Sequence, residues 1–251
     1  MTLFNLKGKT ALVTGASSGL GEQFAHCLSS AGARVILTSR RIDKLNILAE
    51  KLNNAKAIQM DVSAKQSVKS CIAELEKENE RVDICINNAG IALHTPILDK
   101  ENDDDNHFES IIQTNIMGVW YVTKAIAYHM KKHSIHGSII NIGSVNGDAI
   151  PAKGGAAYSV SKAAVIHLTK TLVGELSPHK IRINCISPGW FRTPMNGPDV
   201  EQIIPFIPYE DIAEPSDLDG IILYLASNHA SKYVTGSTFT IDGGISWKGQ
   251  S

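Results

Sequence analysis

The segment from Lys9 to Gly21 constrains the chain most. A short run of β-branched and aliphatic residues, Lys9-Thr-Ala-Leu-Val-Thr-Gly15, breaks into Ala16-Ser17-Ser18-Gly19-Leu20-Gly21, and a helix-period stretch from Glu22 to Ala31 follows. A strand, a glycine turn and a helix in that order have the layout of a phosphate site. Gly15, Gly19 and Gly21 let the backbone come close to a pyrophosphate, and the free amides at the helix start face its charge. Glycines at this spacing also make tight turns that bind nothing. The strand before them and the helix after them are what point to a dinucleotide.

The same alternation runs on through the chain. Arg34 to Thr38 reads as a strand, Lys44 to Leu52 as a helix, Ala55 to Val62 as a strand carrying Asp61 and Val62 at its end, and Lys65 to Glu78 as a helix with Val68, Ile72 and Leu75 on one face. Val82 to Asn87 is a strand that runs into Asn87-Asn88-Ala89-Gly90, small and amide-bearing residues at a carboxyl end, where ligands lie in open α/β sheets. Ile91 to Asn106 is a connection whose acidic run, Asp103 to Asp105, reads as surface or a helix cap. A long helix is expected from His107 to Lys132, strands at Ser138 to Ile142 and Ile181 to Ile186, and between them a helix after Ala156. Ser187-Pro188-Gly189 follows the second of these strands. A looser segment from Trp190 to Pro215, a helix near Ser216 to Ala226 and a strand at Ser237 to Ile241 complete the chain. No shift in composition marks a boundary within the 251 residues, which fit one α/β domain.

The residues just after the second strand choose between the two nicotinamide dinucleotides. A carboxylate there accepts a ribose hydroxyl, and a basic side chain pairs with a 2′-phosphate. Here they are Ser39-Arg40-Arg41, with no carboxylate until Asp43, which favours NADP(H) over NAD(H).

A formal net charge of −1 gives no electrostatic case for nucleic acid or a membrane surface, and no run approaches the roughly 20 apolar residues of a membrane span. Met1 to Lys9 lacks the apolar core of a signal peptide, and the expected location is the cytoplasm. Cys27, Cys71, Cys85 and Cys185 are scattered through apolar patterns without metal spacing and are expected to be reduced core residues; no metal site is expected.

A second motif carries the chemistry. The run Asn141-Ile142-Gly143-Ser144 ends an apolar strand on a hydroxyl, and Tyr158 and Lys162, four residues apart, share one face of the following helix. A cation about 4 Å from a phenol, at an effective dielectric near 20, favours the phenolate by roughly 4 kcal/mol. A phenol so placed can pass a proton to or from a carbonyl or alcohol oxygen. Tyr-x-x-x-Lys alone also arises by chance on solvated helices.

Together these residues resemble the short-chain dehydrogenase/reductase family over nearly the whole chain. The cofactor motif TGxxxGxG stands at Thr14 to Gly21, NNAG at Asn87 to Gly90 and YxxxK at Tyr158 and Lys162. The upstream serine is Ser144, the helix asparagine is Asn115, and Pro188-Gly189 is followed by Thr193. The resemblance implies a Rossmann-type, doubly wound, mostly parallel seven-stranded sheet with helices on both faces, and hydride transfer between nicotinamide and a carbonyl or secondary alcohol. It implies Tyr158 as the acid/base and Lys162 as the group that tunes it and holds the nicotinamide ribose. Ser144 would steady the substrate oxygen, and Asn115 would hold a water that relays protons to Lys162. The cofactor would also meet Gly15, Ser17, Ser18, Gly19, Leu20, Gly21, Asp61 and Val62 near the adenine, Asn88, Ala89, Gly90, Pro188, Gly189 and Thr193. Ser18 is not basic as in some NADP-dependent members, so the NADP preference rests on Arg40 first and on Arg41 second.

Within that resemblance the substrate stays open among ketones or aldehydes, a 3-oxoacyl thioester of fatty-acid type, and a sugar or polyol with NAD. A dinucleotide-binding sensor without turnover is the rival from another class. Trp190, Phe191, Met195, Ile203, Ile204, Phe206 and Ile207 in the 190–215 segment suit an apolar lid over a hydrophobic substrate, or packing on the protein itself. Val160, Ala164, Leu168, Leu172 and Leu176 form a stripe on a helix that is apolar nearly all round, as is the helix from His107. Both suggest a homo-oligomer, a tetramer or dimer, in which these helices meet partner helices.

Overall fold

The computed structural model describes residues 3–98, 105–150 and 153–247. Seven strands, β1 (Thr10–Thr14), β2 (Arg34–Ser39), β3 (Ala55–Gln59), β4 (Val82–Asn87), β5 (Ser138–Ile142), β6 (Arg182–Pro188) and β7 (Thr238–Ile241), form one sheet in the order β3-β2-β1-β4-β5-β6-β7. Every neighbouring pair is parallel. The strand order reverses between β1 and β4, which opens a crevice at their carboxyl ends.

The helices cover both faces, and the strands show why. A sheet buried on both sides has no polar face, so β1 (Thr-Ala-Leu-Val-Thr) is buried at every position. Ala11 and Val13 pack with Phe24 and Leu28 of α1 (Gly19–Ser30), Leu45 of α2 (Ile42–Lys51) and Ile222 of α8 (Asp219–Ala226). Leu12, pointing the other way, packs with Val68 and Leu75 of α3 (Lys65–Lys77) and Ile126 and Met130 of α5 (Gly118–Lys132). Each fully buried Leu, Ile or Phe of these two layers contributes about 1.5–3 kcal/mol. All four cysteines are buried and free. Among the described residues no helix is long and apolar enough to cross a membrane.

Several polar groups inside the sheet pair with one another, while Ser187 Oγ and Thr238 Oγ1 are buried without a partner. Asn87 donates to Thr123 Oγ1 and to Asn141 Oδ1, both at 2.8 Å, and Asn141 donates to Thr169 Oγ1 at 2.9 Å. Arg182, 6% exposed, donates to the carbonyl of Leu225 in the last turn of α8 and to Asn228 Oδ1. Burial lowers its pKa to about 10, and the carbonyl end of α8 offsets the buried charge.

Several element boundaries differ from the sequence reading. α1 begins at Gly19 rather than Glu22, so Gly19 and Gly21 lie inside its first turn. β3 stops at Gln59, short of Val62, because Asp61 turns the chain: its Oδ1 accepts from Ser63 N at 2.9 Å and Ser63 Oγ at 2.7 Å. The helix expected over 107–132 begins at Asp105 and is interrupted, α4 (Asp105–Ile112) passing through a π-helical turn, Gln113–Met117, into α5. The segment after Trp190 contains a 3₁₀ helix, Pro198–Phe206. Asp103 and Asp104 of the acidic run lie outside the described residues.

Candidate active site

The crevice between β1 and β4 opens into a cleft of about 330 Å³. Its floor is the glycine turn. Gly15 has φ +68°, and a Cβ there would come within 2.8 Å of Ala89 Cα, so only glycine lets the turn lie against the NNAG segment. Thr14 joins the two strand ends: its hydroxyl accepts from the amides of Asn88 and Ala89, both at 3.0 Å, while Asn88 Nδ2 donates to the Thr14 carbonyl at 2.9 Å. Ser18 stands at the start of α1 without capping it, so its hydroxyl leaves the first-turn amides uncommitted.

The two arginines after β2 take different roles. Arg41 lies over the turn, donating from Nε and Nη2 to Ser17 Oγ at 3.0 and 2.7 Å and from Nη2 to Ser18 Oγ at 2.8 Å. Arg40 also lines the cleft and is exposed, as Arg41 is, and its carbonyl accepts from Gln59 Nε2 at 3.0 Å. Arg41 is the basic group held at the glycine turn.

Ser144, Tyr158 and Lys162 come to the same cleft from β5 and α6 (Ala156–Thr171). Lys162 is 5% exposed; its ammonium donates to the Ile142 carbonyl at 2.9 Å and lies 5.5 Å from the centre of the Tyr158 ring. Ser144 Oγ and Asn146 are paired, the hydroxyl accepting from Asn146 N and donating to Asn146 Oδ1, both at 3.2 Å. The start of α6 is tied down by Thr95, whose Oγ1 accepts from Ala157 N at 3.3 Å and whose amide donates to the Gly154 carbonyl at 2.7 Å.

Asn115 sits behind this group in the π turn and not in the cleft wall. Its Oδ1 accepts from Ile91 N at 2.9 Å, and its Nδ2 donates to Ile91 O at 2.9 Å and Ser161 Oγ at 3.0 Å; Ser161 in turn donates to the Tyr158 carbonyl at 2.7 Å. A Cβ on Gly90 would lie 3.3 Å from Asn115 Oδ1 and 3.6 Å from Lys162 Nζ, so Gly90 keeps the space between them open. Ser161 is the residue that the sequence reading missed, and nothing local to it signals the link.

Of the remaining expected residues, Ser17, Ser18, Gly19, Leu20, Asp61, Val62, Asn88, Ala89, Gly90, Pro188, Gly189 and Thr193 line the cleft with Gly15. Gly21 does not: a Cβ there would meet Asn88 Nδ2 at 2.5 Å and the Gly15 carbonyl, which makes it a close-packing position between α1 and the turn. Phe191, Met195 and Asn196 of the 190–215 segment complete the wall.

The chain's segment 9–203 matches the family model described as short chain dehydrogenase. The chain belongs to the short-chain dehydrogenase/reductase family. It is 39% identical over 256 residues to oxidoreductase UcpA of Salmonella typhimurium, covering 95% of each chain. A short-chain type dehydrogenase/reductase from Mycobacterium marinum superposes with a TM-score of 0.91 at 37% identity, covering 97% of each chain. A gluconate 5-dehydrogenase from Burkholderia cenocepacia, solved with NADP and tartrate, does so with a TM-score of 0.89 at 31% identity, again covering 97% of each. As a family member the chain is an NAD(P)-dependent dehydrogenase/reductase acting on CH-OH and C=O groups.

A second polar cluster lies away from the cleft. Glu76 of α3 accepts from His129 Nδ1 at 2.6 Å, His133 Nε2 at 3.0 Å and Lys132 Nζ at 2.6 Å. The three ligand-type residues Glu76, His129 and His133 stand close enough together to hold a cation. The tautomer argues for a strut instead: Val82 N donates to His129 Nε2 at 3.2 Å, which leaves the ring proton on Nδ1, facing Glu76.

Proposed function

We propose that this dehydrogenase/reductase uses NADP(H) to move a hydride between nicotinamide and a carbonyl or secondary alcohol, with Tyr158 as the acid/base. The observation that carries the reading is the convergence of Tyr158, Lys162 and Ser144 on the cleft whose floor is the glycine turn under Arg41. The turn suits a pyrophosphate, since its glycines leave no side chain between the backbone amides and an anion. Arg41 suits a 2′-phosphate, since its guanidinium already faces two serine hydroxyls at that end of the cleft. Gly15, Ser17, Ser18, Gly19, Leu20, Asp61, Val62, Asn88, Ala89, Gly90, Pro188, Gly189 and Thr193 would hold the rest of the dinucleotide, and Gly21 would set the shape of the turn.

The bound nicotinamide supplies the hydride in reduction and accepts it in oxidation. In reduction the substrate oxygen gains negative charge as its carbon gains the hydride. The Tyr158 hydroxyl gives it a proton while the Ser144 hydroxyl donates a hydrogen bond. Ser144 must release Asn146 Oδ1 to do so. Lys162, held by the Ile142 carbonyl, places its ammonium beside the Tyr158 ring, at the end of the cleft where the proton moves. Asn115 holds the loop at Ile91 and, through Ser161, the Tyr158 turn of α6. Its contribution is to position rather than to touch the substrate.

The same reading includes a homo-oligomer. Of the α6 stripe, only Leu176, in the short helix α7 (Val173–Leu176), is buried in the single chain; Val160 is 53% exposed, as are Phe108 at 43% and Tyr128 at 71%. An apolar surface of this extent suits burial against a second copy.

The test is NADPH and NADH oxidation against a pooled panel of ketones, aldehydes and 3-oxoacyl thioesters, with Tyr158→Phe alongside. Loss of about 10²–10⁴-fold in turnover, with NADPH binding retained, is expected for a general acid. Turnover in Tyr158→Phe equal to that of the unaltered protein would overturn the assignment.

A further inference from the structure

The cleft is unevenly charged. Among the described residues, the cations lining it are Arg40, Arg41 and Lys162. The two arginines stand just beyond β2 beside the glycine turn, where the dinucleotide is proposed to lie. Lys162 is buried with its ammonium on the Ile142 carbonyl. The lid contributes Phe191, Pro194 and Met195 to the cleft wall, with the uncharged polar Thr193 and Asn196 beside them, and Ile91 also lines the cleft.

The lid itself is acidic. From Trp190 to Leu218 the sequence has six carboxylates, Asp199, Glu201, Glu210, Asp211, Glu214 and Asp217, and a single cation, Arg192. That cation is already surrounded: Nε lies 3.0 Å from Glu201, Nη1 3.0 Å from Glu214 and Nη2 3.4 Å from Asp211. Asp199 and Glu210 are exposed on the same segment. Lys153 and Asp148 are both exposed, and the His94 ring packs on Gly154. The lid carries a surplus of negative charge, and among the described residues lining the cleft the one cation away from the glycine turn, Lys162, is already committed to the Ile142 carbonyl.

We infer that the substrate is a neutral, mainly apolar carbonyl compound or its alcohol, and that anionic substrates such as coenzyme A or carrier-protein thioesters and sugar acids are turned away by the lid. This rests on the reductase reading above. A like-signed field over a cleft mouth lowers the local concentration of an approaching anion and slows its encounter, an effect that salt screens over about 8–10 Å. A neutral ester of the same acyl chain meets the apolar wall without that barrier.

The experiment compares ethyl 3-oxohexanoate, 3-oxohexanoyl-coenzyme A and a keto sugar acid, using the full chain and NADPH at low and at physiological ionic strength. NADPH binding is followed separately by fluorescence. The ester should have a kcat/KM at least about tenfold above the thioester at low salt, with the gap narrowing as salt is added. Asp199→Lys combined with Glu210→Lys should raise kcat/KM for the thioester about tenfold at low salt and leave the ester within about twofold. Thioester or sugar acid turned over as well as the ester, or a gap indifferent to salt and to the double substitution, would overturn the inference and leave the reductase reading standing. Tight NADPH binding with no turnover of these substrates or of a pooled carbonyl panel would overturn both.

Discussion

The glycine turn and the lid face each other across one cleft: a Cβ on Gly19 would sit 3.5 Å from Thr193 Cβ. They are held in place by different means. The turn is fixed by backbone, through the bonds of Thr14 to the amides of Asn88 and Ala89 and by approaches that only glycine permits. The lid is fixed by side chains. Val200, Ile207 and Ile212 are buried in a small cluster with Trp190, Ile203, Ile204 and Ile245, and Arg192 ties its beginning to its middle and end. The apolar residues of the 190–215 segment therefore pack mostly on one another, while Met195 and Phe206 remain exposed. A backbone-fixed wall tolerates no added atom, whereas a side-chain cluster of this size gives way locally.

The largest effect is expected at the turn. Gly21→Ala places a methyl 2.5 Å from Asn88 Nδ2, an atom held by the Thr14 carbonyl, with no flexible end to yield. A loss of about 3 kcal/mol in stability is expected from such overpacking, with NADPH affinity falling alongside. Urea unfolding of the variant at an unchanged midpoint would show that the turn is not backbone-fixed.

Next comes the basic group at its end. Arg41→Asp exchanges a charge-assisted pair for repulsion and should weaken NADPH binding by about 2 kcal/mol, roughly thirtyfold, while sparing NADH. Calorimetric titration with both cofactors checks it, and equal losses would mean that Arg41 serves only Ser17 and Ser18.

The lid should respond more weakly and elsewhere. Ile207→Ala opens a cavity in the small cluster, with a local cost of about 2 kcal/mol, the lower end for such truncations. KM for the carbonyl substrate should rise several-fold and protease cleavage within 190–215 should quicken, with NADPH affinity and the global unfolding midpoint almost unchanged. A global midpoint shift as large as that of Gly21→Ala would erase the contrast between the two walls.

The smallest effect is a pH dependence remote from both. Burial holds the His129 imidazole below its ordinary pKa against the pull of Glu76, and its Nε2 accepts from Val82 N, a bond that protonation would break. Its folded-state value is depressed, so its contribution is complete above the unfolded value near 6.5 and is lost as pH falls from there. The Glu76 carboxyl, held down to about 2 chiefly by the Lys132 ammonium, contributes above the unfolded value near 4.5 and loses that contribution as pH falls toward 2. Melting curves between pH 7 and pH 5 should fall less steeply for His129→Leu than for the unaltered protein; parallel curves would dismiss the strut.

Most of the sheet was readable without coordinates. The central strands are largely buried runs, the outer strands β3 and β7 are short and partly buried, and each crossover has a helical period, so β1 to β7 fell close to where the alternation put them. The ends were harder. Gly19 reads as part of a turn yet opens α1, and the interruption at Gln113–Met117 carries no proline or glycine of its own. Only the bonds from Asn115 to Ile91 and Ser161, residues 24 and 46 positions away, give that turn its function.

The chain by itself determined the alternation of strands and helices, the glycine turn, and the placing of Tyr158 and Lys162 on one helical face. These follow from periodicity and from glycine's backbone freedom, which act over a few residues. Tertiary structure alone decided that Arg41 rather than Arg40 lies over the turn, that Gly21 packs behind the cleft, and that the lid's carboxylates gather around Arg192. It also decided that His129, Glu76 and the amide of Val82 meet. Those outcomes depend on which distant segments the closed sheet brings within a few ångströms, where charge, hydrogen bonding and steric contact act and local pattern carries no record of them.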